Sequence, residues 1–187
     1  MALNPRYNGR VGVYRTNEIE KFGFSVGDSY GGGIVAYIYA PGDPGYVADE
    51  VHGIIADTSD QSTGLIFGCL YTSIFTSTSL GSGSLNVANI IAGCGTLGTA
   101  PRVCDALVKN GYSDWTLPSF GDLEKLRENR FLIGGFSTSG PFDWYTSSSQ
   151  ANSTIVMCLG FESGGGYQPV GKEDSSPSIK TRAVRYF

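Results

Sequence analysis

Side chains able to do chemistry are few in this sequence, and they stand apart from one another. The only histidine is His52, and no Cys or Asp lies near it at a metal-binding spacing, so it reads as structural. A Ser-His-Asp triad is defined by geometry and not by chain order. No G-x-S-x-G elbow is present to suggest one. Two carboxylate pairs, Asp57 with Asp60 and Asp114 with Asp143, are the nearest approach to a hydrolase pair. Gly31-Gly32-Gly33 runs into a β-branched segment and not into a helix, which argues against a phosphate-binding loop. Gly164-Gly165-Gly166 is likewise a turn. Cys69, Cys94, Cys104 and Cys158 match no zinc spacing. A chain of 187 residues has core enough to need no staples, so buried free thiols are expected, with one or two disulfides as the alternative. The expectation is a protein without catalytic residues, metal ligands or a cofactor.

Composition points toward display. Hydrophobic residues make up 41% and charged residues 16%, the latter well below the usual ~25%. Glycine is abundant at 27 residues, which suits many tight turns. Tyr, Ser and Gly together form the palette of adaptable binding surfaces. A net charge of −4 offers no electrostatic footprint for nucleic acid. From Gln61 to Pro101 no charged residue occurs, yet Ser, Thr, Gly, Asn and Gln interrupt the stretch throughout. It is therefore not read as a membrane span, and no membrane insertion is expected. The start, from Met1 to Arg6, lacks the apolar segment of a secretory signal.

Two parts are expected: an N-terminal arm over residues 1–25 and a domain over 26–187. The arm is basic, with Arg6, Arg10, Arg15 and Lys21 against Glu18 and Glu20, and it carries an Asn8-Gly9 hairpin signal before a Val11–Tyr14 strand. In the domain, Ile34–Tyr39 and His52–Asp57 read as strands, with Leu65–Cys69 as a third. Helical pattern begins at Asn86–Ala92 and resumes at Ala100–Val108, with Gly111 as its C-cap. Ser119 with Asp122 forms a capping-box signature before the Leu123 and Leu126 stripe, and Glu124 to Glu128 is its solvated side. Trp144–Thr146, Ser153–Phe161 and the alternating Ile179–Phe187 complete an α+β layout. Trp115, Leu117, Phe136, Trp144 and Phe161 are expected in the core.

The stretch from Asn110 to Ser119, Asn-Gly-Tyr-Ser-Asp-Trp-Thr-Leu-Pro-Ser, resembles the GYxDWxLPS signature of the DUF1566 family, also called the Lcl C-terminal domain family. Asp122–Leu126, Ile133–Phe136, Asp143–Ser148 and Lys180–Phe187 are similar to further motifs of that family, in the same order, and Gly27–Tyr37 to its opening. The resemblance covers residues 26 to 187 and implies a C-type-lectin-like fold, with two helices packed on antiparallel sheets. Within the signature, Asp114 is expected to make a turn or N-cap hydrogen bond. Trp144 and Tyr145 are exchanged relative to the family pattern. Gln168-Pro169-Val170 lacks the carboxylate of calcium-dependent lectins, so no metal site is implied.

Binding residues are expected on loops flanking the late strands. The candidates are Ser149, Gln150 and Asn152 on one loop, and Tyr167 and Gln168 on another, where an aromatic ring and an amide suit a sugar. Phage and bacterial surface proteins both use the family's fold. The resulting expectation is a non-enzymatic, virion-located binding protein of a phage, either a host-receptor adhesin or a decoration protein. Its expected partners are other virion subunits held through the arm, a cell-surface glycan or protein, and copies of itself in a trimer. A bacterial surface lectin-like domain and a purely structural cement protein are the alternatives.

Overall fold

The computed structural model describes residue 23 and residues 25–138, 140 and 143–187. The arm's Asn8-Gly9 hairpin and Val11–Tyr14 strand lie outside the described residues. In chain order the elements are β1 (Ser29–Tyr30), β2 (Gly33–Ile38), β3 (Gly53–Ala56), β4 (Ser62–Thr63), α1 (Gly83–Gly93) and α2 (Ala100–Asp105). Then come α3 (Phe120–Glu128), α4 (Arg130–Ile133), β5 (Trp144–Gln150), β6 (Ile155–Gly160), β7 (Tyr167–Gly171), β8 (Ile179–Thr181) and β9 (Val184–Tyr186). The layout is α+β, as the sequence suggests, with more helices than the two expected among the described residues.

Two sheets carry the molecule. One has the order β1-β2-β3-β9 and is antiparallel throughout. The other runs β4-β8-β5-β6-β7 and is mixed, because β8 lies parallel to β5. That parallel pair corrects the expectation of purely antiparallel sheets.

The β1–β2 turn is set by its glycines. Gly31 and Gly32 both take positive φ, +56° and +85°, between the paired residues Tyr30 and Gly33. That is the type I′ geometry, which matches the twist of a hairpin and excludes most side chains. The turn also lies close on its support, since a Cβ on Gly32 would come within 2.6 Å of the Tyr112 ring. The Asn110-Gly111 pair makes a second such turn, with Lys109 and Tyr112 exchanging backbone hydrogen bonds of 2.9 and 3.0 Å. Gly111 is therefore a hairpin residue and not the expected C-cap; α2 ends earlier, with Ala106 as its cap.

Helix α3 forms as its signature demands. The Ser119 hydroxyl accepts from the Asp122 amide at 3.2 Å, and the Asp122 carboxylate accepts from the Ser119 amide at 2.8 Å. Leu123 and Leu126 then turn fully inward against Tyr145, Phe161, Ile54 and Val184, joining both sheets to the helix. The Asp122 carboxylate also accepts from the Gly81 amide at 2.7 Å and from the Tyr186 hydroxyl at 2.6 Å, so one buried acid ties α3, the entry to α1 and β9. Trp115 and Leu117 lie in the core as expected, packed with Ile55, Val87 and Cys104; Trp144 is half-buried at the edge of a separate cluster.

The Ile179–Phe187 alternation reads as one strand but forms two. β8 belongs to the five-stranded sheet and β9 to the four-stranded one, and the chain changes sheet at Arg182-Ala183. Arg182 is wholly buried at this joint. Its Nε donates to Asp60 Oδ1 at 2.7 Å, Nη1 to the Asp57 carbonyl at 2.9 Å and Nη2 to the Gly135 carbonyl at 2.7 Å. The guanidinium lies 4.3 Å over the Phe136 ring. Removing the guanidinium leaves the buried Asp57 carbonyl unpaired and Asp60, 21% exposed, without its cation, a loss of about 3 kcal/mol. We expect Arg182→Met to lower the unfolding free energy by roughly that amount in urea titrations. An unshifted midpoint would show that the guanidinium does not hold the joint.

Candidate binding surface

The residues with catalytic potential are committed to structure. Both ring nitrogens of His52 are engaged, Nδ1 with the Phe187 carbonyl at 3.2 Å and Nε2 with Glu50 at 2.8 Å. The candidate carboxylates each face a cation and do not form acid–base pairs. Asp57 meets Lys109 at 2.5 Å, Asp60 meets Arg182, and Asp143 meets Lys180 at 2.7 Å. Asp114 makes a two-pronged contact with Arg185, each prong 2.8 Å, in place of the expected turn or N-cap bond. That contact holds the Asp114 carboxyl below its ordinary range. Cys104 and Cys158 are free and buried, and burial pushes the Cys158 thiol up to about 12 and Cys104 higher still. Such thiols are poor nucleophiles. Among the described residues, no three His, Cys, Asp or Glu side chains come together as a metal cradle.

The expectation of four free thiols is overturned. Cys69 and Cys94 form a disulfide, joining the long segment before α1 to the end of that helix. Size made a staple unnecessary for the core. The bond instead serves a local task, because it closes one end of a segment without ladder partners.

That segment, residues 69–79, is the most unusual part of the molecule. It contains no strand, and Leu65–Cys69 before it, expected to be one, is irregular as well. Framework side chains hold its backbone instead. The Lys172 ammonium donates to the Thr72 carbonyl at 2.7 Å and the Cys69 carbonyl at 3.5 Å, and it also meets Gln150 Oε1. Gln150 Nε2 donates to the Ile74 carbonyl, and Asn89 Nδ2 to the Phe75 carbonyl at 3.1 Å. The Ser77 carbonyl takes two donors, Asn86 Nδ2 and Ser149 Oγ, each at 2.7 Å. Ser119 Oγ donates to the Ser79 carbonyl at 2.8 Å. A buried carbonyl needs a partner, and here side chains supply what a neighbouring strand would.

Lys172 is itself wholly buried and, among the described residues, pairs with no carboxylate. Burial lowers its pKa from the ordinary lysine value. Its three N–H groups are nevertheless matched by three oxygen acceptors.

The other face of the segment looks outward. Tyr71 and Phe75 are each 79% exposed, and Leu70 is exposed beside them. Cys69 and Tyr71 both take left-handed backbone, φ 56° and 64°, which turns the chain sharply here. The candidate surface is thus a pinned loop with two aromatic side chains in water.

Of the five residues expected to bind ligand, Ser149 and Gln150 fall beneath this loop. Ser147–Gln150, read as an exposed loop, continues β5. Ser149 is fully buried, its hydroxyl accepting from the Phe120 amide at 3.0 Å, and Gln150 works as the clamp described above. The ladder to β6 is broken between Thr146 and Gln150, which frees these serines to reach across to residues 77 and 118. Asn152 is exposed, but its Oδ1 caps the β5–β6 turn through the Thr154 and Ile155 amides, at 2.8 and 2.9 Å. Tyr167 and Gln168 begin β7 and are not a loop. Tyr167 is 45% exposed, braced edge-on by Phe120 at 5.8 Å. The structure therefore brings Ser149 and Gln150 together as supports and leaves Asn152 and Tyr167 facing outward.

A second feature lies on the other sheet. The β1–β2 turn, with Tyr30, Ile34, Thr58 and Asn110, surrounds an open hollow of about 380 Å³. No charged side chain lines it. Sequence reading treated Gly31–Gly33 as a turn alone and gave no role to Tyr71 or Phe75. The one signal available was two isolated aromatics within an uncharged Ser/Thr run.

Compared with models of known protein families and with curated proteins, the chain matches none. No helix among the described residues is long and apolar enough to cross a membrane.

Two outcomes test this account. Lys172→Met should keep the fold while amide hydrogen exchange in residues 69–77 accelerates at least tenfold; protection equal to wild type would remove the clamp. For Asp143, burial opposes ionisation, but the Lys180 ammonium, the Gly140 amide and Ser137 outweigh it and hold the carboxyl at about 2. A depressed carboxyl stabilises the fold above its unfolded pKa of ~3.9, and that contribution disappears as pH falls toward the folded value. Asp143→Asn should cost about 2 kcal/mol at pH 7 and far less at pH 2, read from denaturant midpoints at both. A cost independent of pH would contradict it.

Proposed function

We propose that this chain is a non-enzymatic binding protein of a phage particle, an adhesin or decoration subunit on a C-type-lectin-like domain of the Lcl C-terminal kind. The observation that carries the reading is the pinned loop: framework groups hold the backbone of residues 69–79 while Tyr71 and Phe75 stand in water. Rigid aromatic side chains lose little entropy on contact, which is why they dominate binding hot spots. The commitment of His52, the carboxylates and both free thiols to internal contacts supports binding over catalysis. A disulfide beside an exposed loop suits a protein that works outside a reducing cytosol. Tyr167 and Gln168, at the opposite end of the β5–β7 strands from the clamps, are proposed sugar contacts, and the basic arm over residues 1–25 is the proposed anchor to other virion subunits. A trimer would strengthen weak contacts by avidity.

The test is to band particles from a producing culture on a density gradient and to look for peptides of this chain by mass spectrometry. Peptides that co-band with particles support the virion reading. Recovery only with the bacterial envelope would replace it with a bacterial surface protein. Glycan-array binding lost on Tyr167→Ala would then select the adhesin over the cement protein.

A further inference from the structure

The turn that presents Tyr71 is held in an unfavourable backbone shape. The Thr72 amide donates to the Cys69 carbonyl at 3.1 Å, closing a four-residue turn over Cys69-Leu70-Tyr71-Thr72. Its third residue, Tyr71, takes φ +64°, where such a turn calls for glycine or asparagine, and Cys69 stands at φ +56° at its start. Left-handed backbone costs free energy in a residue that has a Cβ. Tyr71 gains no packing in exchange, since it is 79% exposed.

Residues 74–79 keep their place by other means. Gln150, Asn89, Asn86, Ser149 and Ser119 hold the carbonyls of Ile74, Phe75, Ser77 and Ser79. The Ser77 amide donates to Asn86 Oδ1 at 2.7 Å, and the Gly121 amide to the Thr78 carbonyl at 2.9 Å. For residues 69–73, the holds from outside the segment among the described residues are Lys172 and the Cys69–Cys94 bond. The Lys172 contact with the Cys69 carbonyl is long, 3.5 Å, so the covalent bond is what fixes the first residue of the turn.

We propose that the Cys69–Cys94 disulfide is a redox latch on the binding surface: closed, it holds the strained turn and fixes Tyr71; opened by a thiol, it frees residues 69–73 while residues 74–79 stay clamped. The proposal rests on the reading of the pinned loop as the binding surface and names its regulation. Cys69 is half-buried and Cys94 buried, so a thiolate arriving from solvent meets the Cys69 sulfur. The S–S bond breaks, a mixed disulfide forms at Cys69, and Cys94 leaves as a thiolate and takes a proton. The second sulfur of a dithiol then displaces Cys69. The protein gains two electrons and two protons, and the dithiol is oxidised to a cyclic disulfide. A chain made in a reducing cytosol therefore carries a loose Tyr71, and oxidation after release fixes it.

Site-resolved amide exchange of the full chain, oxidised and in dithiothreitol, tests the latch. Alkylation of Cys69 in the native protein, read by mass, confirms that the bond is open. The Thr72 amide should then exchange at least tenfold faster, and the Ser77 amide should change by less than about twofold. Chymotrypsin should cut after Tyr71 at least tenfold faster in the reduced form, and re-oxidation with oxidised glutathione should reverse both effects. Cys69→Ala with Cys94→Ala should behave as the reduced wild type in either buffer; if that variant does not fold, the reduced wild type carries the test alone. Equal Thr72 exchange in both states, with Cys69 alkylated, would overturn the proposal. So would loss of the circular dichroism signal on reduction, which makes the bond a staple of the whole fold, or Ser77 exchange that accelerates together with Thr72. Equal Thr72 exchange in a protein that bands with particles removes the latch alone. A redox-dependent Thr72 amide in a chain that never bands with them removes the particle reading alone.

Discussion

A single buried guanidinium determines how this chain divides into two sheets. Arg182 sits where the last segment leaves one sheet for the other, and at that crossing the backbone is drawn away from the ladders. The buried Asp57 carbonyl, outside any strand, would be stranded without a donor, and the Gly135 carbonyl would lose its partner. A planar five-donor group is well suited to such a place, because it reaches several acceptors from one position. Its charge is balanced by Asp60, whose other oxygen accepts from the Tyr145 hydroxyl at 3.2 Å. The in-and-out alternation is lost at the crossing, where Thr181, Arg182, Ala183 and Val184 are all buried and Arg182 takes an inward position that would otherwise call for an apolar residue. Lysine would not substitute, since a point charge cannot address three directions in one plane.

The same principle governs the loop before α1. A buried lysine without a carboxylate partner is ordinarily unfavourable, and its lowered pKa reflects that cost. It persists because its three protons meet the Cys69 and Thr72 carbonyls and Gln150 Oε1. Ser149, Asn86 and Asn89 extend the pattern along the segment. Such a loop gains no ladder, yet it cannot fray without exposing several framework groups at once. The disulfide at Cys69 fixes one end, and the Ser119 capping box fixes the other through the Ser79 carbonyl. Rigidity is therefore built beneath the exposed aromatics, where binding would draw on it.

How much of this was legible in the sequence depends on the range of the interaction. The capping box at Ser119–Asp122, the Leu123 and Leu126 stripe and the cores of β2 and β3 were readable because their signals are local. The β8–β9 break was not, since alternation looks the same whether a strand stays in one sheet or changes sheets. Tyr167–Gly171 contains Pro169 and follows a glycine run, which hides a strand that lies at the sheet's edge. Ser149 and Gln150 were singled out for the right chemistry, hydrogen bonding by small polar groups, but the wrong partner. Their acceptors, Ser77 and Ile74, lie more than seventy positions away in the chain, and no pattern in one sequence reveals a contact that long. Cys69 and Cys94 are only 25 positions apart, yet their pairing is hidden as well. Spacing alone does not say which thiols meet, and the two left over are core residues.

The distribution of charge bears on what the surface is for. Asp57, Asp60, Asp143, Lys109, Lys180 and Arg182 are drawn into pairs around the β3, β5 and β8 joints. The stretch from Gln61 to Pro101, which carries the exposed Tyr71 and Phe75, has none. A protein that steered a charged ligand would show the opposite arrangement, with its field concentrated at the recognition surface. Here the buried pairs make the joints, while the pinned loop presents Tyr71 and Phe75 from an uncharged stretch. The proposed recognition would draw on shape and on the burial of rings, which a backbone held by side-chain clamps favours.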